Sequence, residues 1–349
     1  MRIAVHGETW QERLALRCRI APMPAFESMG GMALSGVLVA SARLGLVEQL
    51  ARRPADAGEL ATALSLRPET VRLLLESLHA LGYVRLRRGR YRPTRRARRW
   101  LLPGSPSSVS HFVASHQDYW AWWSSLSDTA RGGAPADHHT RPAADPYWRE
   151  YITGQYELAR FSAPELVRAL DVPKGARWVL DVGGGHGWFA AELCRRHPPL
   201  RATVVDLPGS VAVGRDIIAG AGYGHLVQHR AQDVRTADLG SGYDMALCLN
   251  LVHHLREHEA AALFRRLHAA LRPGGTLAVL DLLASPARRR RPTATASCLG
   301  LLFHLSSGAA VYTDEQLLAW LTAAGFTTPR RTRLRRIPGQ WLYQVTAGD

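Results

Sequence analysis

The fold is decided by the stretch Val179-Leu-Asp-Val-Gly-Gly-Gly-His-Gly-Trp188. An apolar run ends in an acid, a glycine cluster follows, and residues 189–196 have the apolar spacing of a helix. This pattern predicts a buried strand, a tight turn and a helix. Glycines carry no Cβ that would block a ligand, and the first N–H groups of a helix have no partner within it. The turn therefore favours binding of a nucleotide-like molecule.

Strands and helices alternate after residue 177. The predicted strands are 178–182, 202–206, 226–228, 243–249 and 276–282, and the predicted helices between them are 188–197, 209–219 and 257–271. A further helix is predicted over 313–324, and 331–337 with 340–345 suggest a terminal hairpin around Pro338-Gly339. Such alternation predicts an α/β fold with a mostly parallel, doubly wound sheet that binds its ligand at the carboxyl ends of the strands.

Acids and glycines stand where the predicted strands end. The glycine turn has the spacing G-x-G-x-G, and Trp188 occupies the last glycine position of a dinucleotide fingerprint, which argues against that fingerprint. Asp206 follows the second strand, where a carboxylate accepts hydrogen bonds from both hydroxyls of a ribose. Asp233 follows the third strand and suits an adenine amino group. The predicted cofactor-binding residues are Asp181, Gly183, Gly185, Gly187, Asp206, Leu207, Asp233, Val234 and Asn250.

The first third of the chain has the pattern of a winged helix. Helical spacing over 57–64 and 69–81 is followed by two short β-like segments, 83–87 and 90–94. Winged helices commonly bind DNA through the second helix. Here that helix carries Arg72 among leucines and glutamates, whereas most arginines lie on the wing and after it. DNA binding by this segment is therefore kept as an alternative.

The composition of the chain limits the classes of protein to which it can belong. The 349 residues suit one large or two ordinary domains, and 46% hydrophobic residues are enough for a sizeable core. The formal charge of +15 comes almost wholly from arginine, because Lys174 is the only lysine, and this indicates a coding bias more than a nucleic-acid partner. The cysteines are far apart, and neither a signal-peptide pattern nor a convincing membrane span is present, so a cytoplasmic location is expected.

Aromatic side chains are concentrated between residues 109 and 161, on two predicted helices that flank a loop over 132–146. Aromatics at helical spacing usually belong to a core, but this group directly precedes the glycine-rich segment and suits a substrate pocket equally well. The loop contains His138 and His139 without a cysteine cluster, so no metal site is predicted there. The predicted domains are 1–108, 109–170 and 171–349.

Together these motifs resemble the class I S-adenosylmethionine-dependent methyltransferases, and more closely the small-molecule O-methyltransferases of the caffeic acid and acetylserotonin type. The resemblance covers roughly residues 26–345 and includes Ala42-Arg-Leu-Gly-Leu-Val-Glu-Gln-Leu50, Leu81-Gly-Tyr83 and Val205-Asp-Leu-Pro208. It implies S-adenosylmethionine as cofactor and an aromatic or polyketide-like acceptor. It also implies a homodimer formed by the N-terminal winged-helix domain, which makes nucleic acid a less favoured partner.

The resemblance further implies a general base. The catalytic histidine of the family follows the fourth strand and matches His253, and the acid that orients it matches Asp281. A neutral imidazole takes a hydroxyl proton near neutral pH, and a carboxylate behind it fixes its tautomer. Two positions depart from the family pattern. The second orienting acid falls at about Val311, and a lysine four residues before the histidine is replaced by Leu249.

Because of these departures, reactions other than base-catalysed O-methylation are kept as alternatives. Positioning alone accelerates methyl transfer to an already acidic hydroxyl, and the fold also suits pericyclic or hydroxylation reactions or methyl transfer to carbon or nitrogen. His254 stands where the family usually has an aspartate, and a metal held by His253, His254 and His304 is a further alternative to a metal-free site. The predicted substrate-binding residues are Trp120, Trp123, Tyr147, Phe161, His254 and Phe303.

Overall fold

The computed structural model describes residues 5–284, 294–336 and 340–348. The chain divides into two units, Met1–Gln117 and Asp118–Asp349. The aromatic segment 109–170, predicted as a region of its own, is shared between them, and its larger part belongs to the C-terminal unit.

The N-terminal unit consists of helices and one hairpin. Its described elements are α1 (Trp10–Arg17), α2 (Met23–Arg43), α3 (Leu46–Arg52), α4 (Ala57–Leu64), α5 (Pro68–Ala80), β1 (Val84–Arg87), β2 (Arg90–Pro93), α6 (Arg95–Trp100) and α7 (Ser110–Ser115). A capping box formed by Asp56 and Glu59 begins α4, and Pro68 opens α5 at a position where its missing N–H costs nothing. The strands β1 and β2 pair antiparallel, so the predicted winged helix is confirmed.

The longest helix of this unit, α2, buries little of its apolar surface. Phe26, Met29 and Met32 are 43%, 66% and 63% exposed, whereas Val39 is buried. Among the helices of the described ranges, this one alone is long and apolar enough to cross a membrane when judged by length and composition. A contiguous exposed apolar face is typical of a contact surface.

The C-terminal unit contains the sheet. Its described elements are α8 (Tyr119–Ser124), α9 (Leu126–Ala130), α10 (Tyr147–Ala169), β3 (Trp178–Val182), α11 (Trp188–Arg196), β4 (Arg201–Asp206), α12 (Pro208–Gly220), β5 (Val227–Ala231), β6 (Tyr243–Leu249), α13 (Glu257–Ala270), β7 (Leu271–Leu282), α14 (Ala294–Ser307), α15 (Asp314–Ala323), β8 (Arg330–Arg333) and β9 (Gln340–Thr346). Short 3₁₀ turns cover His138–Thr140 and Val252–His254.

The described strands of this unit form one sheet in the order β5-β4-β3-β6-β7-β9-β8. Strands β3 to β7 run parallel, and β9 pairs antiparallel with both β7 and β8. The predicted mostly parallel, doubly wound sheet is therefore confirmed. The chain changes direction across the sheet at β3, which lies between β4 and β6, and a crevice for a ligand is expected at the carboxyl ends of these strands.

Both faces of the sheet are covered by helices. Along β3, Val179 packs with residues of α10 and α11, whereas the next residue, Leu180, packs with residues of α13 and α15. The strand β7 begins at Leu271, earlier than predicted, because Leu271 pairs with Tyr243 before a register shift. The helix α14 was not predicted, and residues 337–339 of the predicted hairpin turn lie outside the described residues.

Candidate active site

The glycine turn joins β3 to α11 at the carboxyl edge of the sheet. Gly183, Gly185 and Gly187 have φ angles of +66°, +47° and +68°, in the left-handed region that favours glycine. Close packing adds a second constraint, because a Cβ on Gly214 of α12 would lie 2.3 Å from the carbonyl oxygen of Gly185. The turn is thus shaped by its own conformation and by a helix pressed against it.

Asp181 places a carboxylate without a partner beneath this turn. Its side chain is 1% exposed, and neither carboxylate oxygen has a hydrogen bond within the described part of the chain. Burial, together with the nearby charge of Asp206, raises the pKa of Asp181 to about 8. A buried acid of this kind is stabilised by a cationic ligand, whose charge replaces the lost hydration. Asp181 therefore fits a positively charged cofactor.

Asp206 connects the end of β4 to the glycine turn. Its carboxylate accepts the backbone N–H of Gly185 at 2.7 Å and that of Leu207 at 2.7 Å. Burial raises the pKa of Asp206 although these two hydrogen bonds oppose the shift. The two carboxylate oxygens together offer about four acceptor positions. After these two backbone contacts, the carboxylate of Asp206 can still accept hydrogen bonds from ribose hydroxyls.

The third predicted acid, Asp233, is already paired. Its carboxylate holds Arg235 through two guanidinium nitrogens, at 2.9 Å and 2.7 Å. Burial alone would raise the pKa of Asp233, but the hydrogen bonds from Arg235 outweigh it and lower the pKa. Val234 is buried, and Asn250, with a φ of +54°, accepts a hydrogen bond from Gln340 at 2.9 Å. Contacts of these residues with a cofactor stay predictions.

His253 and Asp281 form a buried pair at the ends of β6 and β7. The Nδ1 of His253 lies 2.5 Å from Oδ1 of Asp281, and the two residues are 6% and 1% exposed. The carboxylate also accepts the backbone N–H groups of Val252 at 2.8 Å and Leu282 at 2.7 Å, which fix its orientation. With Nδ1 donating to this carboxylate, Nε2 of His253 keeps the lone pair that accepts a proton.

The His253–Asp281 pair and the glycine turn are neighbours in the fold. Strands β3 and β6 pair side by side up to Val182 and Cys248. A Cβ on Gly183 would lie 2.7 Å from the side chain of Leu251, two residues before His253. The imidazole of His253 and the glycine turn therefore lie at the same edge of the sheet.

Two predicted substrate-binding residues lie beside His253. The ring of Phe303 stacks on His253 with centroids 3.9 Å apart and an interplanar angle of 26°. The ring of His254 lies 4.3 Å from that of His253 and 5.4 Å from that of Phe303. Flat, polarisable rings thus border the imidazole of His253.

His254 also belongs to a histidine cluster, which consists of His138, His139 and His254. One ring nitrogen from each lies within 4.8 Å of the other two. His138 and His139 lie far from His254 along the chain, so no sequence pattern predicts that the three residues meet. The one local signal of a possible metal site is the His138-His139 dipeptide in a loop. The alternative triad with His304 is not assembled, because His304 lies exposed on α14.

Of the residues predicted to form an aromatic wall, Tyr147 lies beside the histidines, and its contact with a substrate stays a prediction. It is 6% exposed, stacks on Tyr151 with centroids 5.2 Å apart, and lies edge-on to His138 at 5.9 Å. Burial raises the pKa of Tyr147 well above its ordinary value. Trp122, which was not predicted, stacks on Tyr119 and approaches His138 to 5.5 Å. Aromatic side chains of α10 and α8 therefore lie together around His138.

The other three predicted wall residues are less buried than Tyr147. In α8, Trp122 is buried and Trp123 is 38% exposed, whereas Tyr119 and Trp120 are both partly buried. Phe161 lies several turns beyond Tyr147 on α10, about 20 Å along the axis at a rise of about 1.5 Å per residue. Contacts of Trp120, Trp123 and Phe161 with a substrate stay predictions.

Comparison with protein families matches both units of the chain. Residues 133–327 match the model of an O-methyltransferase domain, and residues 26–103 match that of an O-methyltransferase dimerisation domain. The dimerisation match includes the winged helix and the exposed face of α2.

Individual relatives agree with the family match. The chain is 31% identical to a 3-hydroxy-5-methyl-1-naphthoate 3-O-methyltransferase of Streptomyces sahachiroi, with 87% of this chain and 89% of that protein covered. It is 26% identical to the N,N-dimethyltransferase OxyT of Streptomyces rimosus, with 87% and 90% covered. The crystal structure of human N-acetylserotonin methyltransferase in complex with SAM has the same fold, with a TM-score of 0.81 at 20% identity over 99% of this chain and 100% of that one.

Proposed function

The chain belongs to the O-methyltransferase family, and from this premise we propose that it methylates a hydroxyl of an aromatic or polyketide-like secondary metabolite with His253 as general base. The protein is an S-adenosylmethionine-dependent methyltransferase. The assignment of the base rests on one observation, the hydrogen bond between His253 and Asp281 that leaves Nε2 available beside the glycine turn.

The residues around the turn fit S-adenosylmethionine, which supplies a methyl group on a positively charged sulfur. Asp181 offers a buried, unpaired carboxyl group whose ionised form a cationic ligand stabilises, and Asp206 offers acceptors at the end of the neighbouring strand. The glycines leave backbone without side chains between these acids. We infer that Asp206 binds the ribose hydroxyls and that Asp181 faces the cationic part of the cofactor.

The proton of the acceptor hydroxyl is assigned to His253. Its Nε2 takes this proton, and Asp281 stabilises the imidazolium that forms. The acceptor oxygen then forms a bond to the methyl carbon as the carbon–sulfur bond breaks. Phe303, stacked on the imidazole, restricts its rotation, so Nε2 keeps one direction during the transfer.

The aromatic surroundings of His253 support a flat acceptor. Phe303 and Tyr147 present ring surfaces near the histidines, and the S. sahachiroi relative is named for a hydroxynaphthoate substrate. The similarity to OxyT makes nitrogen the second candidate for the accepting atom. The His253–Asp281 pair favours oxygen, because a hydroxyl acceptor must lose a proton before it becomes a good nucleophile.

Product analysis with aromatic hydroxy acids tests this function. The purified protein with S-adenosylmethionine and hydroxynaphthoates is expected to release S-adenosylhomocysteine and to form a methyl ether, identified by mass spectrometry and NMR. The matched control is the same acid with hydrogen in place of the hydroxyl. Methyl found on carbon or nitrogen would contradict O-methylation, and conversion of the acceptor without release of S-adenosylhomocysteine would favour non-methylating chemistry.

The dimerisation domain supports a homodimer, and the exposed part of α2 is the surface we propose for it. The double substitution Met29→Glu with Met32→Glu places two charges on this face, and burial of unpaired charge opposes association. Light scattering is expected to show dimers for the wild type and monomers for the double variant. Leu86→Glu, which changes an exposed leucine on the wing, is the matched control. A double variant that remains dimeric would place the interface elsewhere.

The alternative of DNA binding finds little support on α5. Arg72 pairs with Glu76 at 2.7 Å, and Leu73 is 50% exposed on the same helix. A helix that reads DNA bases instead presents Arg, Lys, Asn or Gln to the groove. We propose a cytoplasmic location, because Cys18, Cys194, Cys248 and Cys298 are free thiols, which fits a reducing compartment.

A further inference from the structure

We propose that the histidine cluster, His138, His139 and His254, binds one divalent transition-metal ion beside the catalytic pair. One ring nitrogen of each residue lies within 4.8 Å of the other two. Zn²⁺ in tetrahedral coordination holds imidazole nitrogens at about 2.0–2.1 Å, which sets them about 3.4 Å apart. The three rings therefore need only small shifts to close around an ion.

Two of the three rings already make the hydrogen bond that metal-binding histidines make. His138 donates its Nδ1–H to the carbonyl oxygen of Ser306 at 2.8 Å, and His139 donates its Nδ1–H to Oδ1 of Asp137 at 2.9 Å. In both rings Nε2 keeps its lone pair. Metal-binding histidines characteristically donate the other ring N–H to a carbonyl or carboxylate, which fixes the ring and its tautomer.

The third ring has a nitrogen that lacks a partner. Nδ1 of His254 is buried and makes no hydrogen bond to any described residue. The ring lies 5.4 Å from that of His138 and 5.1 Å from that of His139, and both contacts are edge-on. Leaving a buried polar atom unsatisfied is unfavourable, and a metal ion removes that cost.

The donor set indicates which ions fit. Three imidazole nitrogens suit Zn²⁺, Co²⁺, Ni²⁺ or Fe²⁺, whereas Mg²⁺ and Ca²⁺ prefer oxygen ligands. Nearby arginines are balanced by acids. Arg141 lies 2.7 Å from Asp118, and Arg235 is held by Asp233 and lies 3.5 Å from Asp137. Three protein ligands leave one position of a tetrahedral ion open, and expansion of the ion to five-coordinate provides a second position for a bidentate acceptor.

The role of the ion rests on the proposed function. The ring of His254 lies 4.3 Å from that of His253, so the open position lies near the proposed base. We infer that an acceptor with a hydroxyl beside a carbonyl chelates the ion there. The metal makes the hydroxyl more acidic. Its O–H bond breaks with the proton passing to His253, the oxygen–methyl bond forms, and the sulfur leaves as a neutral thioether.

This role offers a reason for two departures from the family pattern. The second orienting acid is absent near Val311, and His254 stands in place of an aspartate. An ion that acidifies the acceptor hydroxyl reduces the demand on the histidine that removes its proton. A weaker base arrangement is then sufficient for chelating acceptors.

Metal binding is tested on the full-length protein after removal of metals with a chelator. Titration with Co²⁺ is expected to give one ion per chain and the visible absorption bands of tetrahedral coordination. His139→Ala is expected to weaken binding at least about 100-fold, and Asp137→Asn, which removes only the carboxylate behind the ring, about 10- to 100-fold. His304→Ala, on the exposed face of α14, is the matched control and is expected to bind as the wild type does. Absence of stoichiometric binding, or unchanged binding in His139→Ala, would overturn the proposal.

Turnover separates this proposal from the proposed function. With a 2-hydroxy-1-naphthoate acceptor, activity is expected to fall on chelation and to return with Zn²⁺, whereas a naphthol without the carboxylate is expected to be unaffected by the metal. Stoichiometric Co²⁺ binding without methylation of any acceptor would leave the metal site standing and contradict the proposed function. Full turnover of the chelating acceptor by metal-free enzyme would overturn the catalytic role of the ion.

Discussion

His253→Ala is expected to lower kcat about 10²- to 10⁴-fold, the usual contribution of a positioned general base. The affinity for S-adenosylhomocysteine is expected to change little, because the acids and glycines proposed to bind it lie on β3, β4 and the glycine turn. The loss therefore belongs to the chemical step and not to cofactor binding. Rapid-quench kinetics together with a calorimetric titration of S-adenosylhomocysteine measure the two quantities separately. Undiminished turnover in His253→Ala would remove the base assignment while leaving the family assignment intact.

A second substitution, Asp281→Asn, tests the residue that we propose to act through His253. The carboxylate accepts hydrogen bonds from Nδ1 of His253 and from the N–H groups of Val252 and Leu282. The amide introduced by Asp281→Asn carries an NH₂ group, which cannot accept the hydrogen bonds that the carboxylate accepts. The substitution also removes the negative charge opposite the imidazolium. The kcat is expected to fall because the imidazolium that forms on proton transfer loses its counter-charge, whereas the affinity for S-adenosylhomocysteine is expected to stay nearly unchanged. A merely structural role would weaken the binding of S-adenosylhomocysteine as well.

The strand–turn–helix around the glycine turn could be predicted because its information is local. An apolar run, an acid and glycines at 183, 185 and 187 leave few conformations, and the observed left-handed φ angles follow from them. The acids at the ends of β3 and β4 follow from the same periodicity. The pairing of His253 with Asp281 joins two strands and was implied by the family resemblance; spacing alone does not contain it.

The remaining features depend on tertiary structure. Aromatics at 119, 120, 122 and 123 define no single apolar face, so the packing of α8 against its neighbours decides that Trp122 turns inward and Trp123 outward. The partner of Asp233 is Arg235, two residues along an irregular loop where no periodicity applies. The histidine cluster is hidden for the same reason, because the loop that carries His138 and His139 has no repeating pattern that would place it beside His254.

Asp181→Asn is expected to weaken S-adenosylmethionine binding at least about 30-fold, because removing one partner of a buried charge pair costs about 2–5 kcal/mol. The same change is expected to stabilise the ligand-free protein in alkaline solution. Burial raises the pKa of Asp181 from an ordinary 3.8 to about 8, so the folded state favours the neutral acid. Stability from this group is fully present below the ordinary pKa and is lost as the pH rises through about 8. Asparagine does not ionise, so between about pH 4 and pH 8 the Tm of the variant is expected to fall less than that of the wild type.

A comparison of two ligands that differ in charge tests whether Asp181 acts through its own charge. S-adenosylmethionine carries an ammonium and a sulfonium group, whereas methylthioadenosine shares its nucleoside but carries neither. A direct electrostatic role predicts that Asp181→Asn weakens the first ligand and leaves the second nearly unchanged. An equal loss for both ligands would instead indicate a displaced turn. Titrations in two buffers of different ionisation enthalpy provide a second criterion. Near neutral pH the cationic ligand drives ionisation of the buried acid, so its binding to the wild type releases protons that binding to Asp181→Asn does not.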